Sequence, residues 1–264
     1  MLDSMSESWS ESSSSEGPQF SVVIATFNDG KVLSSAIESV LSQDLFGGYE
    51  LIVIDGGSQD QTRDVLNHYS RRLAYWISEP DHGIYEAWNK GIAVAKGEWI
   101  AFLGADDALQ PNALSSYAKF LSEHPGLDYV SARVSLKLPS GHVRVIGQPW
   151  QWKEFRHFMK TAHVASIHAR HLFERHGFFS LDYSICADYE FFLRVGPALK
   201  AGFLAQDVAC MAAGGVSQSS MRPLCQSRRI KISTGAVSRL SADFDFLVAS
   251  SLWWLRRLFA WIMH

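Results

Sequence analysis

Short apolar runs alternate with segments of helical periodicity along the first half of the chain. Residues 19–26 and 50–54 are rich in β-branched apolar side chains, which is typical of strands buried in a sheet. Residues 73–77 and 98–103 predict two more strands, and apolar residues at helical spacing predict the intervening helices. This repeated strand–helix pattern predicts an α/β fold, in which helices flank a mostly parallel sheet.

The second half of the chain has a different pattern. Residues 128–138 and 141–146 predict two strands joined as a hairpin, and residues 203–211 predict a further strand. Helices are predicted over residues 168–176 and 188–195. We therefore expect a smaller subdomain beside the parallel sheet, followed by C-terminal helices.

Polar residues follow each of the four predicted strands of the first half. They occupy positions 26–29, 55–58, 79–83 and 105–107. Because ligands bind at the carboxyl ends of parallel strands, these segments predict one polar cleft along an edge of the sheet. Ser58, which stands three residues before a glutamine, is predicted to cap the helix that follows.

Acidic residues in this cleft are candidates for binding a metal ion or a nucleoside. Asp106 and Asp107 form a carboxylate pair directly after a strand, and cations such as Mg²⁺ and Mn²⁺ prefer carboxylate oxygens. The pair could instead stand at the start of a helix, where the helix dipole stabilises negative charge. Asp55 could accept a hydrogen bond from a ribose hydroxyl or a base. A Rossmann dinucleotide site is disfavoured, because no G-x-G-x-x-G follows the first strand.

Net charge, cysteine content and the composition of the first residues limit which partners and which cellular compartment we expect. A net charge of −3 gives no electrostatic reason to expect nucleic acid as the main partner. The three cysteines are odd in number and show no metal-binding spacing, so we expect reduced thiols in a cytoplasmic protein. Residues 1–17 are serine-rich and acidic, which predicts a disordered tail and not a secretory signal.

The C-terminal segment is apolar but is interrupted by Arg256 and Arg257. The apolar runs on either side of the arginines are too short to cross the ~30 Å hydrocarbon core of a bilayer. The segment could form a helix that lies in a membrane interface, with both arginines on one side. It could equally form a last helix that covers the domain core.

Five segments occur in an order and spacing that resemble the family 2 glycosyltransferases, which have the GT-A fold. These segments are SVVIATFN, LIVIDGGSQDQT, EPDHGIYEAWNKGIAVAKGEWI, LGADD and CADYEFFLRV. The resemblance covers residues 21–195 and is to the subgroup that makes bacterial surface polysaccharides, including polymers of the colanic-acid type. It implies a GT-A-type sheet with an acceptor-side subdomain.

The resemblance implies a role for each matching residue. Asp188 would be the catalytic base, and Asp107 would bind a divalent metal, Mn²⁺ or Mg²⁺. The residues that would form the donor site are Thr26, Asn28, Asp55, Gly56, Asp81, Gly83, Asn89, Lys90 and Asp106. Two positions depart from the family pattern, because Ala105 and Ala187 stand where carboxylates are usual.

Candidates for the acceptor side come from the second half of the chain. His163 lies where the family often has a histidine, whereas exposure on helices would explain most of the histidines around it. Trp150 and Trp152 could stack on acceptor sugar rings, or they could belong to an apolar patch that covers the sheet.

The predicted domain organisation has three parts. Residues 1–17 form the tail, residues 18–215 the glycosyltransferase domain, and residues 216–264 a helical extension that could contact a membrane. Within the domain, residues 18–127 would bind the nucleotide-sugar and residues 128–215 the acceptor.

The resemblance implies a metal-dependent, inverting transfer of a hexosyl-type sugar from a nucleotide-diphosphate sugar, expected to be a UDP-sugar. The acceptor would be a saccharide or a polyprenyl-linked saccharide, and the reaction would occur in the cytoplasm, at the inner face of the plasma membrane. One alternative is a scaffold protein with a decayed active site, which Ala105 and Ala187 motivate. Another is a nucleotidyltransferase that makes sugar nucleotides, which is disfavoured because ATFNDGKV lacks a glycine-rich, arginine-containing loop.

Overall fold

The computed structural model describes residues 17–45, 48–138, 140–212 and 220–262, so the predicted tail falls almost entirely outside the described residues. The strands are β1 (Phe20–Thr26), β2 (Tyr49–Asp55), β3 (Tyr75–Ser78), β4 (Trp99–Gly104), β5 (Ala108–Leu109), β6 (Tyr129–Lys137), β7 (Val143–Ile146), β8 (Ser166–Ala169) and β9 (Ala201–Ala212). The helices are α1 (Leu33–Leu41), α2 (Thr62–Tyr69), α3 (Ile84–Val94), α4 (Ala113–Glu123), α5 (Trp152–Phe155), α6 (Arg170–His176), α7 (Ala187–Val195), α8 (Arg222–Ser233) and α9 (Arg239–Ile262).

The sheet is parallel on one side and mixed on the other. Its strand order is β3-β2-β1-β4-β8-β6-β9-β5, with β7 paired to β6. The first four strands in this order are parallel to one another. β8 pairs antiparallel with both β4 and β6, and β9 lies parallel to β6. The prediction of an α/β fold with a mostly parallel sheet is confirmed, and both halves of the chain share that sheet.

The sequence pattern does not predict β8. It predicts a helix from residue 168, but α6 begins at Arg170, and the preceding residues Ser166–Ala169 form a strand. All four residues of β8 are buried. Its sequence, SIHA, alternates polar and apolar residues over only four positions, and its polar residues are buried, so it lacks the continuous apolar run that is typical of a central strand.

Helix α2 begins later than predicted. Ser58 is not its cap, because the first helical residue is Thr62 and Gln61 precedes it. Asp60 Oδ1 accepts the backbone N–H of Thr62 at 2.9 Å and so satisfies a donor at the start of the helix. Ser58 is instead hydrogen-bonded to Asp55 at the end of β2.

Each face of the sheet carries its own buried apolar cluster. Val22 and Ile24 of β1 belong to one cluster, and Val23 and Ala25 belong to the other, as the alternation of a strand requires. The first cluster includes residues of α1, α2 and α4, and the second includes residues of α3, α6 and α7. Helices therefore cover both faces of the sheet, and β1 is buried along its whole length.

Helix α3 approaches the sheet closely through Gly91. A Cβ atom built at this buried glycine would overlap the side chain of Val23 on β1. The missing side chain therefore sets the distance between helix and strand. Because α3 also carries Asn89 and Lys90, this contact positions two residues of the predicted donor site.

Two helices complete the described chain. α9 packs against α8, and α8 packs against α7. Within residues 17–262, apart from the short gaps in the description, no helix combines the length and apolar character needed to cross a bilayer.

We predict that Gly91→Ala lowers the free energy of unfolding by about 1 kcal/mol in urea denaturation. Alanine gains ~1 kcal/mol of helix propensity over glycine, but overpacking against a buried side chain costs ~1–3 kcal/mol. The control is Gly17→Ala, where the added Cβ meets nothing closer than 3.9 Å. A Gly91→Ala variant that is more stable than the wild type would contradict the close contact. Val23→Ala should cost less stability in the Gly91→Ala background than in the wild type.

Candidate active site

The polar segments that follow the strands meet at one edge of the sheet. Thr26 of β1 is in register with Asp55 of β2, and Asp55 is in register with Ser78 of β3. On the other side of β1, Ala25 is in register with Gly104 at the end of β4. The structure thus brings the four predicted segments to neighbouring positions, which we call the strand-end edge.

Asp55 is fully buried at the strand-end edge. Its Oδ2 accepts the Ser78 hydroxyl at 2.6 Å and the backbone N–H of Ser58 at 3.1 Å, and its Oδ1 accepts the Ser58 hydroxyl. A buried carboxylate needs such donors, because water no longer solvates it. Asp55 therefore holds the loop after β2, and a direct contact between Asp55 and a nucleoside stays a prediction.

The loop after β1 is fastened to the loop after β2. The backbone N–H of Asn28 donates to Ser58 Oγ at 2.7 Å, and Asn28 Oδ1 accepts the N–H of Gln59 at 2.9 Å. Asn28 has a left-handed backbone with φ 57°, which asparagine adopts more readily than most residues. Thr26 Oγ1 is buried and has no hydrogen-bond partner in the described part of the chain, and its contact with a donor stays a prediction.

The loop after β3 reaches the same edge through Asp81. A Cβ atom at Gly56 would stand only 3.0 Å from Asp81 Oδ2, so a side chain at Gly56 would crowd this carboxylate. Asp81 Oδ1 accepts the backbone N–H of Gly83 at 2.9 Å, and Gly83, with φ 123°, directly precedes α3. These contacts bring the start of α3 next to the loop after β2.

Two predicted donor-site residues on α3 have different surroundings. Lys90 Nζ lies 2.9 Å from Glu79 Oε1 and 3.5 Å from Glu86 Oε1. Burial acts to lower the pKa of Lys90, but the two glutamates outweigh it and raise the pKa. The Asn89 side chain bonds the backbone C=O and N–H of Phe179 at 2.9 and 3.0 Å. Its amide is therefore engaged within the protein, and its role in the floor of the donor site stays a prediction.

Asp106 and Asp107 lie between β4 and β5, so they do not start a helix and the helix-dipole alternative is wrong. Asp107 is buried and its Oδ2 accepts the N–H of Gly104 at 3.2 Å, whereas Asp106 is exposed. Burial and the charge of Asp106 raise the pKa of Asp107 to about 7, and the Gly104 N–H opposes this rise.

The two carboxylates converge beside Gly104. A Cβ atom built at Gly104 would stand 2.8 Å from Asp107 Oδ2 and 3.0 Å from Asp106 Oδ1. One small cation near this point could contact both oxygens. In the described ranges, no three His, Cys, Asp or Glu side chains group closely enough to hold a metal by themselves.

Asp29 belongs to the same acidic edge, although sequence reasoning gave it no separate role. Burial raises its pKa, the N–H of Phe27 opposes this, and the charges of Asp106 and Asp60 raise it further. The sequence feature that could have indicated a role for Asp29 is its position in the polar segment after the first strand. Its coupling to Asp106 places the loop after β1 near the carboxylate pair.

Asp188 is the second residue of α7 and is held by α3. Its Oδ1 accepts the Tyr85 hydroxyl at 2.9 Å and the backbone N–H of Tyr189 at 2.8 Å. Burial raises the pKa of Asp188, and the hydrogen bond from Tyr85 opposes this rise. Cys186, and not Asp188, occupies the N-cap position of α7. A carboxylate with a raised pKa and a fixed orientation is suited to accept a proton.

Tyr85 connects Asp188 to the strand-end edge, and sequence reasoning assigned it no role. It lies two residues after Gly83, so α3 begins beside Asp81 and reaches α7 within its first turn. The same hydroxyl is also 2.5 Å from the C=O of Ile185. A buried tyrosine usually directs its hydroxyl to a polar partner, but the sequence does not show which one.

His168 is not exposed on a helix as predicted, and His163 lies in a short 3-10 helix directly before β8. The His163 ring packs against Trp88 at 4.9 Å and parallel to Phe102 at 5.4 Å, and both ring nitrogens lack partners in the described residues. Burial lowers the pKa of His163 to about 3, so the ring is neutral. An acceptor-side role for His163 stays a prediction. His168 lies in β8 and is completely buried.

Trp150 and Trp152 lie in an aromatic cluster on one face of the sheet. The Trp150 ring centroid is 4.0 Å from Phe155 and 5.5 Å from Phe192, and Trp152 lies 6.3 Å from Trp150. Both tryptophans are partly buried against the second apolar cluster. This geometry favours the apolar-patch alternative over stacking on an acceptor sugar.

Comparison with known proteins relates these features to a family. Residues 21–181 match the model described as glycosyl transferase family 2. A PGL/p-HBAD biosynthesis glycosyltransferase from Mycobacterium bovis is 33% identical over 193 residues, which cover 71% of this chain and 74% of that protein. An uncharacterized glycosyltransferase from Mycobacterium tuberculosis is 36% identical over 182 residues, which cover 67% of this chain and 68% of that protein.

Solved structures share the fold at low sequence identity. The 1-349 fragment of S. aureus TarS in complex with UDP-GlcNAc has a TM-score of 0.68 at 18% identity, and the match covers 86% of this chain and 70% of the fragment. The match covers 42% of a longer TarS structure. The mannosyltransferase PcManGT from Pyrobaculum calidifontis, in complex with GDP-Man and Mn²⁺, has a TM-score of 0.59 at 18% identity, with 90% and 76% covered.

These matches favour the glycosyltransferase interpretation over a nucleotidyltransferase. The family match ends at residue 181, so the assignment of Asp188 rests on geometry and on the resemblance of its segment. The matched range is more than half of the chain, and the mycobacterial relatives exceed 30% identity. The fold and the relatives agree, and the chain belongs to glycosyl transferase family 2.

Proposed function

We propose that the protein transfers a sugar from a nucleotide-diphosphate sugar to a hydroxyl of a saccharide or polyprenyl-linked saccharide, in the biosynthesis of a surface polysaccharide. The observation that carries this proposal is the partly buried carboxylate of Asp188, which is hydrogen-bonded to Tyr85 in the first turn of α3. The structural neighbours support the donor class, because TarS is bound to UDP-GlcNAc and PcManGT to GDP-Man. We propose a UDP-sugar for this chain.

Asp106 and Asp107 fit a divalent cation, Mn²⁺ or Mg²⁺. Oxygens of both residues lie beside Gly104, and the pKa of Asp107 is raised by burial and by the negative charge of Asp106, which a cation would compensate. Two carboxylates suffice for such a cation, because Mg²⁺ sites in proteins usually combine one or two carboxylates with water and substrate phosphates. A cation bound here would neutralise charge on the departing diphosphate.

Asp188 acts as the general base in the proposed reaction. The Tyr85 hydroxyl and the Tyr189 N–H both bond Oδ1, which leaves Oδ2 to accept the proton of the acceptor hydroxyl. As this proton moves, the acceptor oxygen bonds to the anomeric carbon and the bond from that carbon to the diphosphate breaks. Attack from the face opposite the diphosphate inverts the anomeric configuration, and no protein nucleophile is required.

The donor would lie along the strand-end edge. Thr26 ends β1 at this edge, and Gly83 has open space where a side chain would stand. Asp106 is exposed, and its second oxygen, Oδ2, would accept hydrogen bonds from ribose or sugar hydroxyls while Oδ1 faces the cation. Lys90 could reach a phosphate only by leaving Glu79, to which it is paired at 2.9 Å.

The two alanine departures do not favour a decayed site. Ala105 is buried in the apolar cluster beneath α1, and Ala187 is completely buried in the cluster on the other face. A carboxylate at either position would point into apolar surroundings, where its ionised form is costly. The alternative of a catalytically inactive scaffold is therefore left to the activity tests below.

We propose the cytoplasm, at the inner face of the plasma membrane, as the location of this reaction. A polyprenyl-linked acceptor would be presented at a membrane surface. The three cysteines are free thiols, and a compartment that keeps thiols reduced suits them.

We predict that Asp188→Asn lowers the rate of sugar transfer by ~10²–10⁴-fold, because the amide cannot take a proton from the acceptor. Asparagine keeps an oxygen for the Tyr85 hydroxyl, so thermal stability and UDP binding should stay close to wild type. The control is Asp182→Asn, at an exposed position six residues earlier. Equal transfer rates for Asp188→Asn and the wild type would rule out Asp188 as the base, and an inactive wild type would favour the scaffold alternative.

The pH dependence of transfer should follow Asp188. Its pKa is raised, so transfer should fall as the pH drops through a value above the usual aspartate range, where the carboxylate becomes protonated. Tyr85→Phe removes a hydrogen bond that lowers this pKa, and the acidic limb of the pH–rate profile should move to higher pH. Tyr183→Phe, which removes another partly buried hydroxyl, is the control. A limb that stays in place or moves to lower pH contradicts the assignment.

We predict that Asp107→Asn raises the stability of the protein without metal by roughly 1–3 kcal/mol at pH 8. The folded pKa of about 7 exceeds the ordinary value of 3.8, so the folded state binds the proton more tightly, and stability is lost as pH rises between these values. The difference should therefore vanish near pH 4. Thermal unfolding in the presence of a metal chelator measures this difference in stability, with Asp182→Asn as the control.

The same variant tests the metal. Mn²⁺ together with UDP should raise the melting temperature of the wild type but not that of Asp107→Asn, because ligands stabilise the state that binds them. Comparing UDP with GDP under these conditions reports the base preference. An equal shift in both proteins would remove Asp107 as a ligand.

A further inference from the structure

Helix α9 has apolar residues on two opposite faces. The inner face carries Ala242, Phe246 and Ala249 and packs towards α8. Two ion pairs fix it there: Lys231 Nζ lies 2.8 Å from Asp245 Oδ2, and Arg228 Nε lies 2.5 Å from Asp243 Oδ1. The inner face therefore accounts for the attachment of α9 to the rest of the protein and leaves the opposite face unexplained.

The outer face of α9 is an exposed apolar stripe. Leu240 and Leu247 are 83% and 63% exposed. Among the α9 residues whose burial the structure describes, the other large exposed apolar residues are Phe244, Val248, Leu252, Trp254 and Leu255. Their spacing of three and four residues places most of them on one side of the helix, and the stripe is about 22 Å long. Between residues 240 and 255 the charged residues are Asp243 and Asp245, which are both engaged in the ion pairs of the inner face.

The surroundings of the stripe are basic. Residues 220–264 contain seven arginine and lysine residues against two aspartates, although the whole chain has a net charge of −3. On α9 itself, Arg239 and Arg257 are exposed, one near each end of the stripe. The Arg257 guanidinium also stacks on the Trp253 ring, with 4.7 Å between its carbon and the ring centroid. An apolar stripe with a cationic border is the pattern of a helix that lies in the interface of an anionic membrane.

A second copy of the chain fits this stripe less well. Stable dimers bury ~800 Å² on each partner, which is far more than one stripe a single helix wide and about 22 Å long can supply. Two copies would also bring their basic segments together, and like charges across an interface oppose association. An anionic bilayer attracts the same charges and accepts the same apolar side chains.

We propose that the outer face of α9 docks on an anionic lipid bilayer, with the helix axis parallel to the membrane surface. Leu240, Phe244, Leu247 and Trp254 enter the interface, and the exposed arginines contact lipid phosphates. The helix lies on the bilayer and does not cross it.

Docking through α9 has a consequence for the site near Asp188. Gln226 of α8 accepts the backbone N–H groups of Ile185 and Cys186 through its Oε1, at 3.0 and 3.2 Å. Gln226 therefore links the α8–α9 pair to the residues that immediately precede α7. This part of the inference rests on the proposed function: a membrane beneath α9 keeps the general base close to a lipid-linked acceptor.

Vesicle co-sedimentation of the full chain tests the docking without donor or acceptor. The vesicles contain phosphatidylcholine alone or with about 30 mol% phosphatidylglycerol. We expect binding to the anionic vesicles that Leu240→Gln combined with Leu247→Gln weakens at least tenfold. Val143→Gln combined with Val145→Gln is the matched control, because these residues on β7 are also exposed, at 58% and 50%. Wild-type-like thermal unfolding of both double variants shows that the substitutions leave the fold intact.

The outcomes distinguish an anionic bilayer from a second copy of the chain as the partner of the stripe. Equal binding of the leucine variant and the wild type overturns the proposal, and so does equal binding to neutral and anionic vesicles. Sedimentation velocity measures the oligomeric state, and a wild-type dimer that becomes monomeric in the leucine variant would also overturn it in favour of a second copy. The leucine variant should still transfer sugar to a short water-soluble acceptor, so a loss of all transfer points to the enzymatic proposal and not to docking.

Discussion

The buried carboxylate of Asp55 is the interaction on which the arrangement of the strand ends depends. It has lost its contact with water and is compensated by donors from Ser58 and Ser78. Because Ser58 also accepts the N–H of Asn28, one network fixes the segments that follow three neighbouring strands. Removing any member would leave a buried polar group unpaired, so these segments are held as a unit. The edge is therefore formed before a ligand arrives, as is usual for ligand sites.

Helix α3 transmits this order to the second half of the chain. Gly91 sets the distance between α3 and β1, and Asp81 accepts the backbone N–H of Gly83, the residue before α3. Tyr85, in the first turn of α3, donates its hydroxyl to Asp188. Asp188 comes from a helix far along the sequence, yet its orientation depends on the position of α3. A change in the packing of α3 would therefore reach the proposed base without altering any residue that contacts substrate.

The sequence predicts those parts of the fold that follow from local pattern. β1 and β4 are continuous apolar runs, and the ends of parallel strands lie on one side of a sheet, so the position of Asp107 was predictable. The contacts of polar side chains inside the protein were not. His168 lies in a strand among aromatic rings and Asn89 bonds Phe179, a residue ninety positions away. Such partners are set by tertiary packing, so neither these contacts nor the link from Tyr85 to Asp188 could be derived from one sequence.

Strand β8 determines whether the first half of the sheet can exist without the second half of the chain. It lies between β4 and β6 and hydrogen-bonds to both. Without it, β4 would present an open edge, and an apolar strand with an open edge readily pairs with other chains. A fragment that ends at residue 127 would contain the carboxylate pair but would be prone to aggregate. During synthesis on the ribosome, β4 therefore remains an unpaired edge strand on the side of β8 until residues 166–169 have emerged.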